Sequence, residues 1–248
     1  MQTAEIPKLN EEQLRYFDTE FVTPEMWVFA ERWFREAFPE GRFSFLDIGG
    51  GNGCFTDSLL ERFPNSTGVL IDNGEALVSA NKPHPRKTVL LESALELERR
   101  FGGQRFDLVC FNWVLHHLVT SSYESTCRLQ AEVLAGARSL LSARGRICIF
   151  ENLYDGAIVD SVPGWMIYQL TSSTLLSPIV KQLGANSAGC GVCFRSSTQW
   201  ESVFRQAHLK RDHFQRFHEH PINGLRRLAL HIGSARNAGY LMSPDVRA

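Results

Sequence analysis

A short apolar strand that runs straight into a glycine loop, which in turn opens a helix, restricts this chain more than any other feature. The segment is Phe45-Leu-Asp-Ile-Gly-Gly-Gly-Asn-Gly53, after which Phe55, Leu59, Leu60 and Phe63 recur at helical spacing until Pro64. In an open parallel sheet such a turn sits at the carboxyl end of the strands, beside the switch point where ligands bind. Glycines let the backbone approach a ligand closely and adopt positive φ. The helix start leaves N–H groups free to meet an anionic group. A second strand, Thr67–Ile71, delivers Asp72 nineteen residues after Gly53, where an acid can accept hydrogen bonds from a ribose diol. The glycines fall at 49, 51 and 53, and Cys54 stands where a dinucleotide fingerprint wants its third glycine. With no Tyr-x-x-x-Lys pair either, the pattern points away from a nicotinamide cofactor.

The rest of the chain alternates in the same rhythm. Met26, Phe29, Ala30 and Trp33 mark one face of a helix that starts at Thr23-Pro24, within a mostly helical stretch 11–40. Strands are predicted at Arg42–Ile48, Thr67–Ile71, Thr88–Leu91, Phe106–Phe111 and Arg146–Phe150. A helix lies between the last two, opened by a capping box of Ser121 and Glu124. A helix near Gln199–Ala207 precedes two final strands, Arg211–Phe217 and Arg226–Ile232, with Asn223-Gly224 as the hairpin turn. The pattern predicts an α/β fold: a doubly wound, Rossmann-like seven-stranded sheet, mainly parallel with an antiparallel last strand, and helices on both faces. It divides as an N-terminal helical lid (1–42), a cofactor-binding core (43–153), a helical insertion that covers the substrate (154–196) and a C-terminal completion of the core (197–248).

Four segments carry a family resemblance. Asp47-x-Gly49-x-Gly51-x-Gly53 resembles motif I of the class I S-adenosylmethionine (SAM)-dependent methyltransferases. Gly68-Val-Leu-Ile-Asp72 resembles their acidic second motif. Phe106-Asp-Leu-Val-Cys-Phe-Asn-Trp-Val-Leu-His-His117 is similar to the fourth-strand motif of the small-molecule branch, and Leu140–Ile149 to the helix-turn-strand that follows. The resemblance implies SAM as cofactor. It places Asp47, Gly49, Gly50, Gly51 and Gly53 around the amino-acid half, Asp72 on the ribose and Asn73 beside the adenine. Ser93 and Ala94 would meet the adenine edge, and Asn112 and Trp113 the methionyl side. The family often has an acid at the position of Ser93, and Glu92 next door is a substitute.

Methyl transfer from a sulfonium is an in-line displacement, driven mainly by positioning. A base is needed only when the nucleophile starts protonated. His116 and His117 follow the fourth strand at the ligand-bearing end, with His117 the marginally better base; the alternative is that both pack or cap the next helix. Glu151 ends the fifth strand and could orient an acceptor, or be a solvated strand end. Asn152 and Tyr154 beside it, Trp165 and Tyr168 in the insertion, and Tyr16 in the N-terminal segment are the candidate substrate contacts. Residues 154–196 contain only four charged side chains, which favours a hydrophobic or aromatic acceptor if they face a pocket, and plain core packing if they do not. Cys190-Gly-Val-Cys193 has the spacing of half a zinc site, but the other half would have to come from His213, His218 or His220. No metal is assigned, and a glycine-rich loop is the alternative. His218 and His220 could face substrate or belong to a turn.

The formal net charge of -1 gives no clustered basic surface for nucleic acid. No stretch approaches the roughly 18 apolar residues of a membrane span, and Met1–Asn10 lacks the apolar run of a secretory signal. Cysteines spread through helices and strands suit a reducing, cytoplasmic setting. The expectation is a cytoplasmic enzyme that methylates a small hydrophobic or aromatic molecule on O, N or C, with a homodimer through the apolar insertion left open. Two other readings remain: an enzyme of this fold that binds SAM for non-methylating chemistry, and a non-catalytic SAM-binding or regulatory module.

Overall fold

The computed structural model describes residues 22–245. Helix α1 (Pro24–Ala37) is capped by Thr23, whose hydroxyl accepts from the Met26 N–H, and has proline in its first turn. Then follow β1 (Ser44–Ile48), α2 (Cys54–Arg62), β2 (Thr67–Asp72), α3 (Glu75–Ser79), β3 (Lys87–Leu91), α4 (Leu97–Phe101), β4 (Phe106–Asn112), α5 (Tyr123–Ser139) and β5 (Leu141–Gly156). The chain ends with α6 (Val162–Ser172), α7 (Ser177–Gln182), α8 (Ser197–Gln206), β6 (Leu209–Glu219), α9 (Gly224–Ala229) and β7 (Ile232–Pro244). All seven strands form one sheet in the order β3-β2-β1-β4-β5-β7-β6. The first five are parallel, and β7 runs antiparallel to both β5 and β6. The chain moves outward from β1 to β3 and then returns to place β4 on the other side of β1. The switch point therefore falls between β1 and β4, above the glycine loop.

Side chains alternate across this sheet and feed two cores. Leu46, Ile48, Val109, Phe111, Ile147 and Ile149 join Leu129, Val133 and Leu134 of α5 and Trp200 and Phe204 of α8. Their neighbours Phe45, Leu108, Cys110, Cys148 and Phe150 point the other way, to Trp33 and Phe34 of α1 and Phe55, Leu59 and Leu60 of α2. Each such aromatic or aliphatic side chain contributes about 1.5–3 kcal/mol by leaving water. Trp27 stacks on Phe55 at 4.9 Å, which fixes α1 over α2. The described part of the expected N-terminal lid, α1, is thus a layer of the core. Tyr16 lies outside the described residues.

Three local expectations are corrected. The capping box of α5 is Ser122 with Ser125, one residue later than expected, because the Ser122 hydroxyl accepts from the Ser125 N–H. Asn223-Gly224 is not a hairpin turn: Asn223 accepts from the Arg226 N–H and caps α9, so Arg226–Ala229 is helical and the last strand starts at Ile232. Strand β5 runs through Gly156, since β7 pairs with it along its whole second half. No helix among the described residues is long and apolar enough to cross a membrane.

Candidate active site

The first half of the site is a backbone cradle. Gly49 and Gly50 donate N–H bonds to Ile71 O at 2.8 and 3.2 Å, tying the loop to β2. Gly49 has φ 68°, and a Cβ there would lie 2.3 Å from Val114, so both conformation and space require glycine. Asp72 closes the loop. Its Oδ2 accepts from Gly51 N at 3.0 Å and its Oδ1 from Gly74 N at 2.8 Å. Each oxygen retains a lone pair for a ligand hydroxyl. Burial raises the Asp72 pKa above the ordinary carboxylate range, opposed by the N–H groups of Gly74, Gly51 and Asn73.

Asp47 sits underneath, not at the ligand surface. It is fully buried, and its Oδ2 accepts from the Thr56 hydroxyl at 2.7 Å while Asn112 Nδ2 approaches Oδ1 at 3.4 Å. The bond to Thr56 fixes the loop to helix α2. Asn112 Oδ1 is buried and has no partner among the described residues. An orphaned acceptor beside the glycine loop is the kind of group that an ammonium donor would satisfy. Asn73 is exposed next to Asp72, and Ser93 and Ala94 are half-buried after β3. The Ser93 hydroxyl already accepts from the Leu95 N–H, and Glu92 is paired with Arg99 at 3.3 Å. Trp113 takes φ 54° and stacks on Phe150 at 5.8 Å.

The second half is made of side chains. His116 lies in the turn Leu115–His117 after β4, and Glu151 on β5 is fully buried beside it. His116 Nδ1 is 2.7 Å from Glu151 Oε2. The carboxylate also accepts from the backbone N–H of His116 at 3.3 Å and of Asn152 at 3.1 Å. A buried carboxylate held by three donors is satisfied. Assigning the Nδ1 proton to that hydrogen bond leaves the lone pair on Nε2. Glu151 is thus not a solvated strand end: its carboxylate is bonded to His116. His117 is the next residue in the same turn. It is half-buried, its ring lies 4.2 Å from that of His116, and burial together with His116 holds its pKa well below the ordinary histidine value.

An aromatic wall stands against this pair. The Phe194 ring lies 4.8 Å from His116 and stacks on Tyr154 at 4.6 Å. Asn152 Oδ1 accepts from His220 Nε2 at 3.0 Å, so His220 faces the site's strand. Two expected substrate contacts fall elsewhere. The Tyr168 hydroxyl donates to Thr120 O at 2.8 Å, and its ring packs with Val119 and Cys193, because the insertion folds back on the turn before α5. Trp165, 47% exposed, is at the surface. Phe194 was not legible as a site residue, since it sits in an irregular segment with no periodic signal. Among the described residues no three metal-ligating side chains converge at Cys190 and Cys193 or elsewhere.

A sequence model of the methyltransferase domain family matches residues 46–147, the span from β1 into β5. A stretch of 50 residues is 48% identical to 8-amino-8-demethylriboflavin N,N-dimethyltransferase of Streptomyces davaonensis, covering 20% of this chain and 14% of that protein. A SAM-dependent methyltransferase of Leishmania major superposes over 94% of this chain and 82% of its own, with a TM-score of 0.55 and 14% identity. Human N-acetylserotonin methyltransferase in complex with SAM superposes over 94% of this chain, with a TM-score of 0.53 and 16% identity. This chain spans 56% of that human structure. At these identities the superpositions establish the fold. Residues 46–147 thus match a methyltransferase domain, on a fold shared with these methyltransferase structures.

Proposed function

We propose that this protein is a SAM-dependent methyltransferase whose acceptor is a hydroxyl on a small, flat, largely apolar molecule. The carrying observation is the buried His116–Glu151 pair, 2.7 Å apart at the carboxyl end of β4 and β5. When bound, SAM supplies an electrophilic methyl group on a sulfonium. Gly49–Gly53, Asp72 and Asn112 would hold it, with Asn73, Ser93 and Ala94 at the adenine side. Among O, N and C acceptors, a neutral amine can attack without losing a proton first, whereas a hydroxyl gains most from a base. His116 takes that proton at Nε2, and Glu151 stabilises the imidazolium that results. Phe194 and Tyr154 offer a flat face to an aromatic ring, and Asn152 with His220 supplies a polar edge.

The same reading takes 43–153 as the cofactor core, 154–196 as acceptor cover and 197–248 as completion of the sheet. Its setting is the cytoplasm, to which free thiols are suited. The 26 basic and 27 acidic residues favour a small molecule over nucleic acid or a membrane surface. A homodimer would use the apolar insertion face, where Ile158 and Leu175 are 88% and 86% exposed.

The test is a panel of phenols and arylamines incubated with isotope-labelled SAM, scored for labelled product in the wild type and His116→Gln. Phenol methylation that depends on His116 is expected. Methylation of amines alone, indifferent to His116, would overturn the assignment of the base.

A further inference from the structure

We propose that Cys127 and Cys193 form a dithiol that peroxide converts to a disulfide, and that this oxidation disturbs the His116 side of the site. Helix α5 turns Tyr123, Cys127 and Gln130 toward the 193–195 segment, where Cys127 packs against the cluster of Val119, Tyr168 and Cys193. Cys193 is fully buried and Cys127 is half-buried. Next to them Arg195 is 5% exposed. Its Nε donates to Gln130 Oε1 at 2.5 Å, its Nη2 to Cys127 O at 2.9 Å, and its guanidinium lies over Trp200 at 5.4 Å. Among the described residues no carboxylate is within ion-pair distance of Arg195. A buried guanidinium without an anion is costly, and Cys127 is the adjacent group that can become one.

The Cys127 pKa accordingly lies below the ordinary thiol range. The Cys193 thiol is the largest cause, Arg195 and Tyr123 add to it, and burial opposes it. The Cys127 thiol and burial raise Cys193. The attacking and resolving roles are thereby separated. The Cys127 thiolate attacks one peroxide oxygen, the O–O bond breaks, and the departing hydroxide takes a proton, leaving a sulfenic acid. The Cys193 sulfur then displaces the hydroxyl from Cys127, and that oxygen leaves as water with the Cys193 proton. The two sulfurs together lose two electrons, one peroxide is reduced, and two waters form.

A bond between the two sulfurs would tie the 193–195 segment covalently to α5. That segment is attached to the base. The Cys193 N–H donates to His116 O at 2.8 Å, and Phe194 carries the ring against His116 and Tyr154. This consequence rests on the reading of His116 as the base, but the thiol chemistry does not.

The test treats the wild type, Cys127→Ser and Cys193→Ser with hydrogen peroxide, with and without dithiothreitol. Peptides are mapped by mass spectrometry, and the His116 ring resonance, assigned with His116→Gln, is followed by NMR. The expected result is a Cys127–Cys193 cross-linked peptide that forms before Cys54 or Cys190 reacts and is reversed by dithiothreitol. The His116 resonance should shift in the wild type and stay put in either serine variant. Oxidation of Cys54 or Cys190 with Cys127 still reduced would overturn the dithiol. So would a sulfinic acid at Cys127 without a cross-link. A cross-link that leaves the His116 resonance unmoved would overturn the coupling. The wild-type mapping alone decides the dithiol if a serine variant fails to fold.

Discussion

The two halves of the site lie on neighbouring strand ends and are built differently. The glycine-loop half is made of backbone, with Gly49, Gly50 and Gly51 bonded to Ile71 and Asp72. Its geometry follows from one strand-turn-helix and the strand beside it. The His116 half is made of side chains brought from β5, the turn after β4, the segment before α8 and the turn after β6. A backbone cradle tolerates many ligand chemistries that share a nucleotide, whereas converging side chains select one. The contrast predicts that damage to the first half abolishes cofactor binding, and damage to the second leaves it intact while turnover falls.

The largest effect is expected at His116. Replacing it with alanine should lower the rate of methyl transfer to a hydroxyl acceptor by about 10²–10⁴-fold, with S-adenosylhomocysteine affinity unchanged in calorimetry. Glu151→Gln should cost less, and should alter the pH–rate profile. Equal losses of affinity and rate in either variant would erase the distinction between the halves. Next is Gly49→Ala, which forces a side chain into φ 68° and against Val114. A destabilisation of about 2–4 kcal/mol follows from strain plus overpacking, read as a lower urea midpoint together with loss of S-adenosylhomocysteine binding.

How much of this was legible follows the same division. The loop, Asp72 and the order of strands through β5 follow from short-range spacing, because each contact joins a turn to its own strand or the next. Strand period and helix period also switch cleanly between Ser44 and Ser139. Glu151 bonding to His116 across 35 residues, and Asn152 to His220 across 68, leave no such trace. Tyr168 is aromatic and sits in a charge-poor segment, a composition equally compatible with a pocket wall and with the core position it takes. Asn223-Gly224 carries a strong turn signal, but asparagine is as good a helix cap as a hairpin residue, and the tertiary context chose the cap.

A smaller effect sharpens the acceptor half. Phe194→Ala should raise KM for an aromatic acceptor by about tenfold, near 1.4 kcal/mol, with kcat less affected; steady-state kinetics separates the two. The smallest concerns His117, whose folded pKa is depressed from 6.5 by burial and His116. The unfolded chain then binds a proton that the folded protein refuses, so this contribution is fully present above pH 6.5 and is lost as pH falls toward the folded pKa. The urea midpoint of the wild type should therefore drop between pH 7 and pH 5.5 by more than that of His117→Asn. An equal drop would place the titration elsewhere.

The most direct test of the central claim is a calorimetric titration of the wild type and Asp72→Ala with S-adenosylhomocysteine. Saturable one-site binding to the wild type, weakened at least about tenfold in the variant by loss of a charge-assisted hydrogen bond, is the expected result. A folded wild-type protein that does not bind S-adenosylhomocysteine, or one that binds it equally well without Asp72, would contradict the account.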